Sequence, residues 1–250
     1  MNTCGSCKKN YAKEYVYCPL CGAAFHNEKS PAYWLDQARS LQAHGKNKSA
    51  LAAVKKYVAL EGDDAAGLRI MGELCYRVGD IAGSIGAYLK ATRVQPDESS
   101  TFYHLGISYY RGAKIRKALE SLEKCLKLDP GFTMAHYWLG IVNYHSGRAD
   151  GAIHHFQKLL ELNPSSVIAN YHLGVNYASI GEHSLAAESF KVVADASPDD
   201  EAAAYHLGQA YYYSGKMMEA IEVLRKAVKL NPHDERSKKM LEILTNVANP

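Results

Sequence analysis

The tetrapeptide Tyr-His-Leu-Gly occurs at Tyr103–Gly106, Tyr171–Gly174 and Tyr205–Gly208, and Tyr137-Trp138-Leu139-Gly140 stands between the first two on the same 34-residue step. Pro96, Pro130, Pro164, Pro198 and Pro232 keep that step too. A fixed period of this length means repeated supersecondary units, each too small to bury its apolar face alone and stable only when stacked on a neighbour. The period therefore fixes most of what 250 residues can fold into before any single residue is considered.

Six repeats follow, starting at Pro31, Ala65, Ser99, Thr133, Val167 and Glu201 and spanning residues 31–64, 65–98, 99–132, 133–166, 167–200 and 201–234. Each reads as two helices. In the third, Phe102, Leu105 and Tyr109 mark one apolar helix face, and Ala118, Leu122 and Cys125 mark a second. Asp129-Pro130 stops the second helix, because a residue before proline avoids the helical region. Gly45, Gly79, Gly147, Gly181 and Gly215 fall between the helices, where a left-handed cap is wanted. The third repeat has Ala113 at that phase and Gly112 one residue early, which predicts a cap shifted by one.

This pattern resembles the tetratricopeptide repeat family. Leu105-Gly106, Leu139-Gly140, Leu173-Gly174 and Leu207-Gly208 match its first-helix signature. Ala118, Ala152, Ala186 and Ala220 match its close-approach position, and Leu122, Phe156, Phe190 and Leu224 its large second-helix position. Repeat two is weaker, with Met71-Gly72, Ser84 and Tyr88. Repeat one keeps Trp34 and Ala50 but has Gln37 and Gly62 for Leu and Pro, as suits an end repeat covered on one side. The resemblance implies an all-α, right-handed superhelical solenoid of antiparallel helix pairs. Residues 235–250 are expected to supply a capping helix, with Leu241, Leu244 and Val247 on its apolar stripe, and a tail.

The resemblance also implies a concave groove lined by the first helices, at the second, fifth, ninth, twelfth and thirteenth positions of each repeat. The residues expected to meet a partner there are Arg69, Tyr76, Arg77, Tyr103, Tyr110, Arg111, Tyr137, Ile141, Tyr144, Tyr171, Val175, Tyr205 and Tyr212. The chain has 18 Tyr against 5 Phe, and tyrosine offers a large rigid ring with a hydroxyl, which suits peptide recognition. The competing reading has these rings packing on neighbouring helices as scaffold. Arg39, Arg69, Arg77 and Arg111 against Glu73 make the N-terminal end of the groove the more charged. The Lys and Asn that clamp a terminal carboxylate in some family members are missing at the fifth, sixth and ninth positions.

The first 28 residues are of another kind. Cys4-Gly5-Ser6-Cys7 and Cys18-Pro19-Leu20-Cys21 are two CxxC pairs ten residues apart. Two such turns supply four thiolates, a tetrahedral shell that suits Zn2+ and leaves no open position for water. The site is therefore read as structural, one zinc per chain, with metal supplying much of the segment's folding energy. Tyr15-Val16-Tyr17 is β-prone and is expected to form a hairpin strand. With Gly22 and Phe25 following, residues 1–28 resemble the short β zinc ribbons.

Other classes are disfavoured. No run of about 20 apolar residues is present to span a membrane. Cys4, Cys7, Lys8 and Lys9 stand where a signal peptide needs an apolar run, which points to the reducing cytoplasm. A net charge of +3, with only Lys8, Lys9 and Lys13 basic in the ribbon, argues against nucleic acid. His104, His172 and His206 recur at the sixth repeat position, with Trp138 as the equivalent, and read as scaffold. Adjacent His154 and His155 diverge on a helix and do not share a metal. Cys75 and Cys125 read as small buried hydrophobes. No phosphate loop, catalytic triad or paired carboxylates suggest an enzyme. The expected function is a non-catalytic scaffold or adaptor binding a peptide or helix of a partner protein. The alternatives are a regulatory or nucleic-acid-associated protein that reads through the ribbon, and a self-associating structural scaffold.

Overall fold

The computed structural model describes residues 2–3, 7–11, 18–21 and 30–248. They form two compact units, Met1–Pro130 and Gly131–Pro250.

In the N-terminal unit, β1 (Asn2–Thr3) and β2 (Asn10–Tyr11) pair antiparallel, Asn2 opposite Tyr11 and Thr3 opposite Asn10. Three helix pairs follow: α1 (Pro31–Ala43) with α2 (Asn47–Glu61), α3 (Ala65–Val78) with α4 (Ile81–Val94), and α5 (Ser99–Arg111) with α6 (Ile115–Leu128). The C-terminal unit contains α7 (Thr133–His145) with α8 (Ala149–Leu162), α9 (Val167–Ser179) with α10 (His183–Ala196), and α11 (Glu201–Tyr213) with α12 (Met217–Leu230). A single helix, α13 (Glu235–Ala248), ends the chain and packs on α12. Within each unit every helix packs against the next one along the chain, as a stack of repeats requires.

Local chemistry sets the ends of these helices. Asp64 and Asp80 carboxylates accept from the backbone N–H of Gly67 (2.6 Å) and Gly83 (2.8 Å) at the starts of α3 and α4. Asp200 caps α11 by accepting from Ala202 and Ala203. Between paired helices, Gly45, Gly79, Gly147, Gly181 and Gly215 take φ of +70 to +87°. The third repeat departs from expectation. Its cap does not shift to Gly112, which has φ −82°; Ala113 itself adopts φ +54°. The turn length common to the repeats holds the left-handed residue in place, so alanine bears a cost glycine would avoid.

In repeats two to six the first helix packs on the second through a glycine. A Cβ on Gly140 would lie 2.5 Å from the Phe156 ring, and one on Gly174 would lie 2.8 Å from Phe190. Ala118, Ala152, Ala186 and Ala220 are fully buried. In the first pair, Ala38, Ala50, Val54 and Tyr57 cluster with Leu74 and Cys75 of α3. At the other end, Ala220, Ile221 and Leu224 of α12 enclose Leu244 of α13. This contact covers the apolar face of α12.

Candidate functional site

The three sixth-position histidines are junction residues between consecutive repeats. Each lies flat on the large second-helix residue of the repeat before it. His172 stacks on Phe156 at 4.8 Å and 10°, His206 on Phe190 at 5.2 Å and 17°, and His104 on Tyr88 at 5.7 Å and 11°. Burial pulls the pKa of His172 and His206 below the ordinary value, so both rings stay neutral at pH 7.

The fifth-position tyrosines close on these stacks edge-on. Tyr137 meets Phe156 at 6.4 Å and His172 at 5.8 Å; Tyr171 meets Phe190 at 6.1 Å and His206 at 5.9 Å. Edge-to-face geometry at these distances is stabilising. Tyr205 has the Arg236 guanidinium over its ring at 4.9 Å, and with Tyr212 it packs on the cluster around Leu244. These four rings are half-buried, so a substantial part of each belongs to the scaffold. Ile141, expected on the groove wall, is buried at 8% exposure and offers a partner little surface.

Other first-helix residues of the C-terminal unit are open to solvent. Met134 and Ile168 at the second repeat position are exposed, and so is Ile180 just past the end of α9. Tyr144 is 38% and Tyr213 55% exposed. Val175, Ala178, Gln209 and Tyr213 line a cleft of about 290 Å³ between α9 and α11, with His183 of α10 stacked on Tyr213 at 5.0 Å. No Asp, Glu, Lys or Arg stands at the second, fifth, ninth, twelfth or thirteenth position of repeats four to six. Met134, Ile168 and Tyr213 were missing from the expected site although the second and thirteenth positions were named as groove-facing.

The corresponding face of the N-terminal unit is charged. Arg77 Nη2 and Nε both engage Glu73 Oε1, at 2.8 and 2.9 Å. Arg69 Nη1 donates to Gln95 Oε1 at 2.9 Å. Arg111 lies over the Tyr76 ring at 4.8 Å. Tyr103 and Tyr110 are half-buried. Arg39, Arg69, Ser100 and His104 line a cleft of about 350 Å³.

Two further clusters bear on chemistry. Sequence reasoning weighed His155 only with His154, but its Nδ1 lies 3.2 Å from Nδ1 of buried His136, across α7 and α8. Burial, then the neighbouring His136 and His154, pulls the pKa of His155 down to about 4. The signal was available: fourth and twenty-third repeat positions face each other within a helix pair. Cys75 and Cys125 are buried, and burial raises both thiols, Cys125 to about 12, so neither is a reactive thiolate.

Near the N-terminus, the sulfur atoms of Cys7, Cys18 and Cys21 lie within 4.8 Å of one another, with Cys7 and Cys18 3.5 Å apart. Tetrahedral thiolates at Zn–S distances of ~2.3 Å sit ~3.8 Å apart, so this spacing fits one ion. Cys18 is buried and Cys21 exposed. Cys4 and Tyr15-Val16-Tyr17 lie outside the described residues. Among the described residues no helix is long and apolar enough to cross a membrane.

The repeat geometry agrees with comparison to known proteins. Tetratricopeptide repeat family models match residues 35–99, 103–167, 146–201 and 202–234. The chain belongs to the tetratricopeptide repeat family. No curated protein sequence matches it. Among solved structures, MamA is similar at 30% identity and a TM-score of 0.63, over 67% of this chain and 92% of that one. YrrB, described as a TPR protein with an unusual peptide-binding site, has 23% identity and a TM-score of 0.68 over 76% of this chain and 98% of that one. A chain of the APC/C hetero-tetramer Cut9–Hcn1 shares the fold at 18% identity and a TM-score of 0.60, over 88% of this chain and 43% of that one.

Proposed function

We propose that this protein is a non-catalytic scaffold that holds a peptide or helical segment of a partner protein against its first helices. The observation that carries the reading is that the groove-facing first-helix positions of the C-terminal unit hold no Asp, Glu, Lys or Arg. Tyr144, Tyr213, Met134 and Ile168 are apolar or aromatic and open to water, while the packing roles in the same helices are filled by Tyr137, Tyr171 and the stacked histidines. Exposed apolar residues grouped on one face mark an interaction site more often than scattered ones do. Aromatic rings are also the side chains that most often carry binding energy. Peptide binding by YrrB and the assembly containing Cut9 show the same fold in such uses.

The test is capture of partners from native lysate with wild-type protein and with the Tyr144→Ala/Tyr213→Ala double variant. A small set of proteins should be lost in the variant while helicity and thermal midpoint stay unchanged. Recovery of the same proteins with both baits would contradict the reading.

We further propose that Cys4, Cys7, Cys18 and Cys21 hold one structural Zn2+. Convergence of three of these sulfurs supports it. Thiolate ligation requires a reducing compartment, which makes the cytoplasm the expected location. Purified protein should contain one zinc per chain by elemental analysis, and a ratio near zero would remove the assignment.

A further inference from the structure

We infer that the first-helix face of the N-terminal unit takes an acidic segment of the partner protein, its side-chain carboxylates seated on Arg39, Arg69 and Arg111. This rests on the reading of the chain as a peptide-binding scaffold and specifies what one of its faces binds.

At the groove-facing positions of repeats one to three stand Arg39, Arg69, Arg77 and Arg111 against Glu73 alone. Glu73 is committed to Arg77 at 2.8 Å. Two other carboxylates act on Arg69 from nearby, but each already has partners. Asp64 accepts from Gly67 N–H and the Tyr57 hydroxyl, and Glu98 accepts from the Ser100 hydroxyl. Among the described residues, none of Arg39, Arg69 and Arg111 forms an ion pair with a carboxylate.

Two of these guanidinium groups are also held in position. Gln95 accepts from Arg69, and the Tyr76 ring supports Arg111. A guanidinium fixed by a neutral partner keeps its remaining donors available and loses less entropy when an oxyanion arrives. Arg39 and Arg69 open onto one cleft, about 350 Å³, whose wall also holds Glu73, already paired with Arg77, and the Ser100 hydroxyl, whose proton goes to Glu98. That space accommodates carboxylate side chains, and the planar guanidinium fork matches a carboxylate bidentately. The C-terminal unit serves as an internal control, because its equivalent positions carry no charge.

The test uses the whole 250-residue chain as purified and a fluorescein-labelled octaglutamate peptide with an amidated C-terminus, read by fluorescence anisotropy. Octaglutamine is the uncharged comparison. Octaglutamate should bind and octaglutamine should not, and affinity should fall as ionic strength shortens the screening length toward ~8 Å. Arg39→Gln/Arg69→Gln should weaken binding by about tenfold or more, the effect of removing charge-assisted hydrogen bonds. Arg39→Lys/Arg69→Lys should recover part of the loss, since charge returns without the fork. Arg116→Gln/Lys127→Gln on the second helix α6 should leave binding within about twofold of wild type, because exposed charges off this face matter little.

Equal binding of the two peptides would overturn the proposal, as would equal affinity in the Arg39/Arg69 variant or an equal loss in the α6 variant. So would displacement of octaglutamate by inorganic phosphate at matched total charge, which would indicate a small-oxyanion site. Circular dichroism of each variant separates lost binding from lost fold. Partner capture dependent on Tyr144 and Tyr213 stands or falls separately, so failure here leaves the scaffold reading intact.

Discussion

The N-terminal and C-terminal units close the same helix–helix gap with a glycine opposite a large side chain. Gly72 faces Tyr88 and Gly106 faces Leu122 in the first, while Gly140, Gly174 and Gly208 face Phe156, Phe190 and Leu224 in the second. Across the next junction Tyr88, Phe156 and Phe190 each receive a histidine ring from the following repeat. The positions that hold the stack together thus admit only variations on one theme, a small residue opposite a large one. Positions that do not hold it together differ in charge. The N-terminal unit places four arginines where the C-terminal unit places tyrosine, aliphatic, Gln, Ser or His side chains and no Asp, Glu, Lys or Arg. Packing fixes the first set, because an interior tolerates neither voids nor overlap. It leaves the second set free to differ between the units.

That division predicts a graded response to substitution. The largest effect belongs to the close approach: Gly174→Val, with its Cβ already 2.8 Å from Phe190, should cost about 3 kcal/mol in urea denaturation. An unchanged midpoint would mean that the helices do not meet there. Next comes the contrast among tyrosines of the C-terminal unit. Tyr137→Ala or Tyr171→Ala should each cost about 2 kcal/mol, because each ring supports a phenylalanine–histidine stack. Tyr144→Ala, exposed, should change stability by less than about 0.5 kcal/mol. If all three cost the same, the separation of scaffold from binding rings fails.

A pH effect should differ in size between the units. In the C-terminal unit the pKa values of His155, His172 and His206 are lowered in the folded state, against His104 in the N-terminal unit, so the unfolded chain binds more protons below its own pKa of about 6.5. Stability is then complete above that pH and is lost as pH falls toward about 4, the folded value for His155. The expected loss is about 1–2 kcal/mol, allowing for partial solvent screening. Hydrogen exchange at pH 7 and pH 5 should show the C-terminal unit opening more readily at the lower value. His155→Asn should reduce the difference. A smaller effect than the close approach belongs to the turn of the third repeat, where Ala113→Gly should add about 1 kcal/mol by relieving a left-handed alanine. Gly147→Ala should lose a similar amount. Paired thermal scans of the two variants would expose any asymmetry.

Much of this fold is legible in the sequence because each structural requirement repeats. A glycine opposite a large residue and a left-handed turn residue leave marks every 34 positions. The Ala113 turn shows the limit: residue preference pointed to Gly112, but turn geometry imposed by the flanking helices prevailed. The candidate site is less legible. Tyrosine at the fifth position satisfies a packing rule and a binding rule alike, and only burial shows how far Tyr137 and Tyr171 are committed to packing. Ile141 and Tyr144 lie three residues apart on α7, one buried and the other open, a distinction that composition does not carry. The His136–His155 contact escaped because the two residues are 19 apart on different helices, and no other repeat places two imidazoles there.

The central claim is that the uncharged first-helix face of the C-terminal unit contacts a partner segment. Site-specific photo-crosslinking in the native cell tests it most directly, with p-benzoylphenylalanine in place of Tyr213 and, as comparison, in place of Val192, which is exposed on the second helix α10. A discrete crosslinked species is expected from position 213 and none from position 192. Crosslinks of equal yield from both positions, or from 192 alone, would contradict it.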